Sequence, residues 1–376
     1  MILFTYHPFL NKIKLGSSNM SIGFSVYFGL DNTKEENINL LKNAHSLGFK
    51  RIFTSLHIPE ANYDILKSEI REFLKLAKEY HMDIISDISP NTFKFLDLED
   101  MDLKGLKELG IQTIRIDFGY NEESIAKMSN NEYGLKLQLN ASTITQSFLD
   151  NLDKYYPNYD NIDALHNFYP RVGTGISEEC MIEKNNLLKA RNIKIAAFVQ
   201  SNHKKRSPLK DGLPTLEDHR DMNVREASNH LFAIGNDDVF IGDSLPSKKE
   251  LEDLASLKSD VVELRIKLHV KDEVYERLLK ETYTSRSDEA RDAIRASESR
   301  LILNKEIIKP INTVDKDYGD ITIDNIDYGR YMGELQILKD NQASDSRVNK
   351  VASVIKDDIY LLKYIKNQKK FCFKII

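Results

Sequence analysis

The chain has 376 residues, a length that suits two domains, and its 41% hydrophobic content is enough for a sizeable core alongside an ordinary 30% of charged residues. A net charge of −5 argues against a nucleic-acid binder, which would carry a basic stripe, and an anionic ligand would need a local basic pocket working against that field. The two cysteines, Cys180 and Cys372, are far apart, which argues against a disulfide framework and fits a reducing cytoplasm; no apolar run approaches the ~20 residues of a membrane span, and Met1-Ile2-Leu3-Phe4 is too short for a signal segment.

Residues 1–19 show no periodicity and read as an extension outside the fold. From Met20 the chain alternates strand and helix. The strands expected are 22–28, 51–57, 83–88, 113–118, 135–141, 162–167, 194–199 and 238–242. The helices between them cover 33–47, with Asp31 or Asn32 as cap, then 63–80, a short one ending at Gly110, 122–128, 145–152, 178–190, 225–233 and 248–257. Eight β–α units within residues 20–258 predict an α/β fold, a (β/α)8 TIM barrel, whose usual length is ~250 residues. A doubly wound open sheet is the competitor, but Gly29-Leu30-Asp31 after the first strand is no glycine-rich phosphate fingerprint. Residues 259–376 form a second, mostly β domain: 261–268 and 321–326 alternate like half-buried strands, 334–338 and 359–364 look similar, and 274–281 and 287–299 suggest helix.

Polar residues stand at the ends of the apolar barrel strands, on one side of each. Side chains in a strand alternate faces, so this side points into the barrel, and convergent polar groups at strand carboxyl ends are the position of a barrel active site. Asp87 and Asp117 occupy matching ends of neighbouring strands, so their carboxylates could stand roughly 5–7 Å apart, in the range of glycosidase pairs. Glu60, after the second strand, is a third candidate. The bland alternative is that one aspartate pairs with inward Arg115 to close the barrel. Asp243 could equally cap a turn with Ser244.

His166-Asn167-Phe168-Tyr169-Pro170-Arg171 leaves the sixth strand, and Gly173-Thr174-Gly175 opens the next helix. Aromatic, amide and guanidinium groups suit a sugar with an anionic substituent, and the glycine turn could offer N–H groups to a phosphate. Its alternative is a loop with a surface arginine. His57 and His166 lack metal-ligand spacing, so no metal and no cofactor is expected. The basic run His203-Lys204-Lys205-Arg206 reads as solvated loop.

Several segments together carry a resemblance: Ile22-Gly23-Phe24-Ser25-Val26-Tyr27, Thr54-Ser55-Leu56-His57-Ile58-Pro59-Glu60, the 166–171 run with Thr174-Gly175, and Ile321-Thr322-Ile323-Asp324-Asn325 with Tyr328-Gly329-Arg330-Tyr331 and Gly333-Glu334-Leu335-Gln336. From Met20 to Ile376 the chain resembles the bacterial 6-phospho-N-acetylmuramidases, long labelled "outer surface protein". The resemblance implies a TIM barrel followed by a cyclophilin-like β-barrel, with no prolyl isomerase activity implied. It also implies a cytoplasmic enzyme cleaving the disaccharide of N-acetylmuramic acid 6-phosphate and N-acetylglucosamine in cell-wall recycling. The family begins near Met20, so residues 1–19 depart from it.

The expected function is therefore glycoside hydrolysis, with Asp117 and Asp87 as the carboxylates and Glu60 as substitute. The choice rests on strand-end position and leaves retaining, inverting and substrate-assisted mechanisms open. His57, Asn140, His166, Asn167, Tyr169, Gln200, Asp243 and Tyr328 are expected at the substrate, with Arg171, Arg286 and Arg330 toward its anions. The second domain would then have to pack over the strand ends. A lyase or racemase barrel and a non-catalytic sugar-phosphate sensor are the alternatives. The partner expected is a small phosphorylated amino-sugar disaccharide, with no nucleic acid and no membrane; oligomeric state is not readable.

Overall fold

The computed structural model describes residues 21–55, 63–88, 93, 96, 98–99, 102–116, 119–303 and 306–376, with the side chains of 63–67 left aside. The expected extension, 1–19, lies outside them. The first part alternates β1 (Ile22–Val26), α1 (Lys34–Ser46), β2 (Arg51–Ser55), α2 (Tyr63–Glu79), β3 (Asp83–Ile88), α3 (Leu103–Glu108), β4 (Thr113–Ile116), α4 (Glu122–Ser129), β5 (Lys136–Asn140), α5 (Gln146–Asp153), β6 (Ile162–Leu165), α6 (Glu178–Lys189), β7 (Lys194–Val199), α7 (Val224–Ala233), β8 (Asp238–Ile241) and α8 (Lys248–Ala255). The eight strands pair in parallel in sequence order, and β8 returns to β1 with Phe24 beside Ile241, so the barrel is closed.

Outward residues such as Phe24, Ile52, Ile84, Ile114, Leu137 and Val239 bury themselves against Leu41, Leu149, Leu188, Leu231 and Leu251 of the helices. Seven of the barrel helices begin on a side-chain cap: Thr33, Asp102, Asn121, Thr145, Ser177, Asn223 and Ser247 each accept the N–H of the third helical residue. Each such cap contributes about 1 kcal/mol and sets where the chain turns down from the mouth of the barrel. Thr33 caps α1 in place of the expected Asp31 or Asn32, because Glu36 completes a capping box with it. Asp31 accepts instead from Ser207 and Ser244, and Asn32 donates to the Ser244 carbonyl, tying the first loop to the last.

Inside, the barrel is layered. Its floor is the Arg51 guanidinium, which reaches Asp83 at 3.0 Å, Asp163 at 2.6 Å and Asp238 at 3.1 Å. Above it lies an apolar plug of Phe53, Ile85, Leu165, Phe198 and Phe240. Gly23 is required here: a Cβ on it would stand 2.2 Å from the Phe240 ring. The polar mouth sits above the plug.

The second unit is β9 (Val261–Leu268), α9 (Glu273–Leu279), β10 (Thr282–Thr284), β11 (Ala293–Arg295), α10 (Ser299–Ile302), β12 (Asp320–Asp324), β13 (Leu335–Leu338), β14 (Val348–Val354) and β15 (Lys370–Ile375). They form one sheet in the order β10-β15-β9-β14-β12-β13-β11. A bridge between Ser285 and Ala296 joins the two edges, which curls the sheet toward the expected β-barrel. Two expectations fail. The 287–299 stretch is no helix, because Ala293–Arg295 pairs with Leu338–Gln336 and sets Ile294 opposite Ile337. Residues 359–364 are no strand but part of a 3-10 segment, Lys356–Tyr364, whose Asp358 accepts the backbone N–H and the guanidinium of Arg265.

The two units meet on the flank of the barrel. The Asn229 amide exchanges two hydrogen bonds with the Glu263 backbone, Arg225 pairs with Glu263, and Arg265 with Glu226 at 2.8 Å. Lys363 reaches Glu178, and a row of hydrogen bonds runs from His219 through His230 to the Tyr364 hydroxyl, each 2.8 Å. Among the described residues all such side-chain links fall on α6 and α7, not on the strand ends where the second unit was expected.

Removing the floor cation leaves three carboxylates facing one another without compensation. Arg51→Met is expected to cost about 3–5 kcal/mol, read as a lower urea midpoint; an unchanged midpoint would show that the cluster carries no stability.

Candidate active site

At the mouth, the register sets Asp87 of β3 directly beside Arg115 of β4. Arg115 Nη1 donates to Asp87 Oδ1 at 2.8 Å and Nη2 to Asn167 Oδ1 at 2.5 Å. The sequence alternative of an Arg115 pair is therefore realised for Asp87. Asn167 is held in turn by its backbone N–H, which donates to Ser142 Oγ at 2.9 Å. Ser142 Oγ lies 3.1 Å from His166 Nδ1, and His166 Nε2 lies 2.9 Å from Asn185 Oδ1. Burial pushes His166 down to about 4, so the ring is neutral, with one donor and one acceptor nitrogen. His166 is fully buried and was expected at the substrate; it instead supports Asn167 from behind.

An aromatic wall stands over the plug. Phe168 meets Tyr27, Phe53 and Phe198 edge-on at 5.2–6.4 Å between centroids. The Arg206 guanidinium lies 4.8 Å from the Tyr27 ring centre and 4.9 Å from that of Phe168, within cation–π range. It makes no ion pair among the described residues. The sequence reading missed it, because nothing in His203-Lys204-Lys205-Arg206 marks which of four basic side chains turns inward.

Two other expected substrate contacts turn out to fasten the long loop 201–222. Asp243 is buried and accepts the backbone N–H groups of Ser201, Arg206 and Leu213, so it sets Arg206 in place; burial nonetheless raises its pKa. Gln200 donates its amide to the Arg220 carbonyl and to Asn202 Oδ1. Asn140 accepts the Ser142 N–H at 3.1 Å and lines a cavity of about 290 Å³ with Tyr120, Thr143 and Phe148. Asp117, Glu60 and His57 lie outside the described residues. Among the described residues, no cluster of three or more His, Cys, Asp or Glu could hold a metal.

Residues 22–256 match the N-terminal pattern of 6-phospho-N-acetylmuramidases, and residues 262–374 match the C-terminal one. The chain belongs to the 6-phospho-N-acetylmuramidase family. Among solved structures it is similar to an uncharacterized B. cereus protein, at 32% identity over 94% of this chain and 99% of that one, with a TM-score of 0.80. It is also similar to a conserved protein of unknown function from Enterococcus faecalis, at 32% identity over 94% and 96%, with a TM-score of 0.65. No curated protein matches.

In this chain, the glycine turn expected to hold a phosphate already holds an anion of its own. The N–H groups of Gly173 and Gly175 donate to Glu217 Oε1 and Oε2 at 2.8 and 2.7 Å. Arg220 closes the group, donating to Glu217 and to the carbonyls of Tyr169 and Arg171. The Arg171 side chain is exposed beyond this turn, and Tyr169 is half-buried, with its N–H on the Pro214 carbonyl at 2.9 Å. Arg286, Tyr328 and Arg330 make their contacts within the second unit: Arg286 chelates Asp288, and Arg330 lies over Tyr331, which Tyr328 meets edge-on. They are not brought to the barrel mouth by any contact among the described residues.

The bond from Arg220, together with the two N–H groups, holds the Glu217 carboxyl down to about 2 from its ordinary 4.5. A depressed carboxyl stabilises the fold above the unfolded value and loses that contribution as pH falls toward the folded one. Glu217→Gln is expected to melt below the wild type at pH 7, with the gap narrowing below pH 4.5. Calorimetry showing the same gap at pH 7 and pH 3 would refute this.

Proposed function

We propose that this chain hydrolyses the glycosidic bond between N-acetylmuramic acid 6-phosphate and N-acetylglucosamine, in the cytoplasm, during recycling of cell-wall saccharides. A glycosidase role follows from the family. What supports the finer reading is the Asp87–Arg115–Asn167 group, polar and partly open, at the carboxyl ends of barrel strands and beside an aromatic wall that bears Arg206, which makes no ion pair among the described residues.

An opposite charge at hydrogen-bond distance favours the ionised carboxylate. Asp87 is accordingly suited to attack the anomeric carbon, activate water, or orient the 2-acetamido group if that group is the nucleophile. Proton donation to the leaving oxygen then falls to Asp117, which directly follows the last residue of β4, or to Glu60. Arg115 fixes Asp87 in place, and Asn167 is oriented to share that task while meeting a sugar hydroxyl. The faces of Tyr27 and Phe168 hold Arg206 extended, with guanidinium donors left for the 6-phosphate, whose charge is close to −2 at neutral pH.

Asp87→Asn and Asp117→Asn are each expected to lower kcat by about 10²–10⁴-fold on a chromogenic 6-phosphomuramide while circular dichroism stays unchanged. Near-normal kcat in both would sink the assignment and direct attention to Glu60.

Arg206→Ala is expected to raise KM for the phosphorylated substrate by roughly 10–100-fold, the worth of one or two charge-assisted hydrogen bonds, and to leave the unphosphorylated analogue little changed. An undiminished preference for phosphate would overturn its role.

A further inference from the structure

The second unit carries an open cavity of about 610 Å³, bounded by β12, β13, the 3-10 segment Ile326–Tyr331 and the loop before β14. Asp324 closes β12 and stands opposite Glu334, since Ile323 pairs with Leu335 and the Asp324 N–H donates to the Glu334 carbonyl at 3.1 Å. Directly opposed strand residues have Cβ atoms about 4.5–5.5 Å apart, so two carboxyl groups share one wall of the cavity.

Their circumstances differ. Glu334 is compensated, by Arg295 at 2.7 Å and Arg300 at 3.9 Å. Asp345, on the facing loop, is held by Arg347 at 2.7 Å. Asp324 is only 5% exposed, yet its carboxyl makes no hydrogen bond or ion pair with any described residue. Burial, then Glu334 and Asp345, push its pKa up to about 7. Burying such a group without a partner is costly, and this one lines an open cavity.

The rest of the lining narrows the ligand. Tyr328 and Tyr331 stand edge to face, 6.0 Å between centroids, and Arg347 braces Tyr328 from 4.5 Å. Gln336 and Gln342 add amide groups. Three carboxyl groups disfavour a phosphate, and a lining more polar than apolar disfavours a hydrophobic molecule. Tyrosine faces beside hydrogen-bond acceptors suit a ring whose edges donate hydroxyls and whose faces are C–H.

We propose that this cavity is a saccharide-binding site distinct from the barrel mouth, taking a neutral, hydroxyl-rich sugar ring with Asp324 as the group that meets its hydroxyls and a tyrosine as its platform. It goes beyond the hydrolase reading and does not depend on it.

The test is ligand-observed NMR titration of the full chain with N-acetylglucosamine, the neutral half of the proposed substrate, with N-acetylglucosamine 6-phosphate and with protonated glucosamine. The wild type is expected to bind N-acetylglucosamine in the roughly millimolar range, and the part of the binding that the variants below remove is expected to be smaller for the other two. Asp324→Asn and Tyr328→Ala are each expected to weaken that binding by about tenfold or more. Tyr328 is half-exposed, so its variant keeps the fold, which circular dichroism verifies. No binding by the wild type, equal binding by both variants, or a loss of phosphate or amine binding in the variants as large as that of N-acetylglucosamine would overturn the proposal. Because no turnover is read, failure of the barrel chemistry leaves this result unchanged.

Discussion

The mouth of the barrel depends on one buried guanidinium. Arg115 enters from β4 and holds Asp87 on β3 and Asn167 beyond β6, so one side chain spans groups from three strands. Its planar fork makes this possible, because two of its nitrogens can serve separate partners while remaining in one plane. The cost of removing that charge from water is met by those partners. Behind Asn167, the Ser142–His166–Asn185 row is almost wholly enclosed and electrically neutral. Support of this kind fixes a side chain without adding a competing charge at the point where substrate charge would be read.

The three-layer interior follows from the same constraint. Arg51 meets its carboxylates at the floor and Arg115 meets Asp87 at the mouth, and the Phe53, Phe198 and Phe240 plug separates the two. The floor ties four strands together, and the mouth lies at the strand ends where this fold generally places its active sites.

How far the sequence could be read varied with how local the physics was. The eight barrel strands and their helices were legible because apolar and polar residues alternate and caps stand where helices start, and Asp87 and Asn167 could be named from strand-end position alone. Asp117, Glu60 and His57, named in the same way, lie outside the described residues. Roles that depend on a distant partner were not legible. Gly173 and Gly175 look like a phosphate turn until Glu217, more than forty residues later, is seen to fill it. Asp243 and His166 have the residue types of a site, yet both are buried supports. In the second unit, β10 and β11 are three residues each and exist through their pairing with β15 and β13, so their local pattern could mislead toward helix over 287–299.

The hydrogen-bonded row from His219 through His230 to Tyr364 joins the loop that carries Arg206 to the second unit. Burial lowers the pKa of both histidines, and a neutral imidazole must donate on one side and accept on the other. The row therefore has a direction: choosing the proton's position on one ring dictates it for the next, and beyond His230 it meets both the Tyr364 hydroxyl and the Glu178 carboxylate of α6, 3.4 Å from His230 Nε2. The second unit thus supplies one of the two groups that meet the outer end of this polar line, the other coming from the barrel's own α6. The position of the proton on His230 is therefore set by one side chain from each unit, a link made of polar groups between two separate hydrophobic cores.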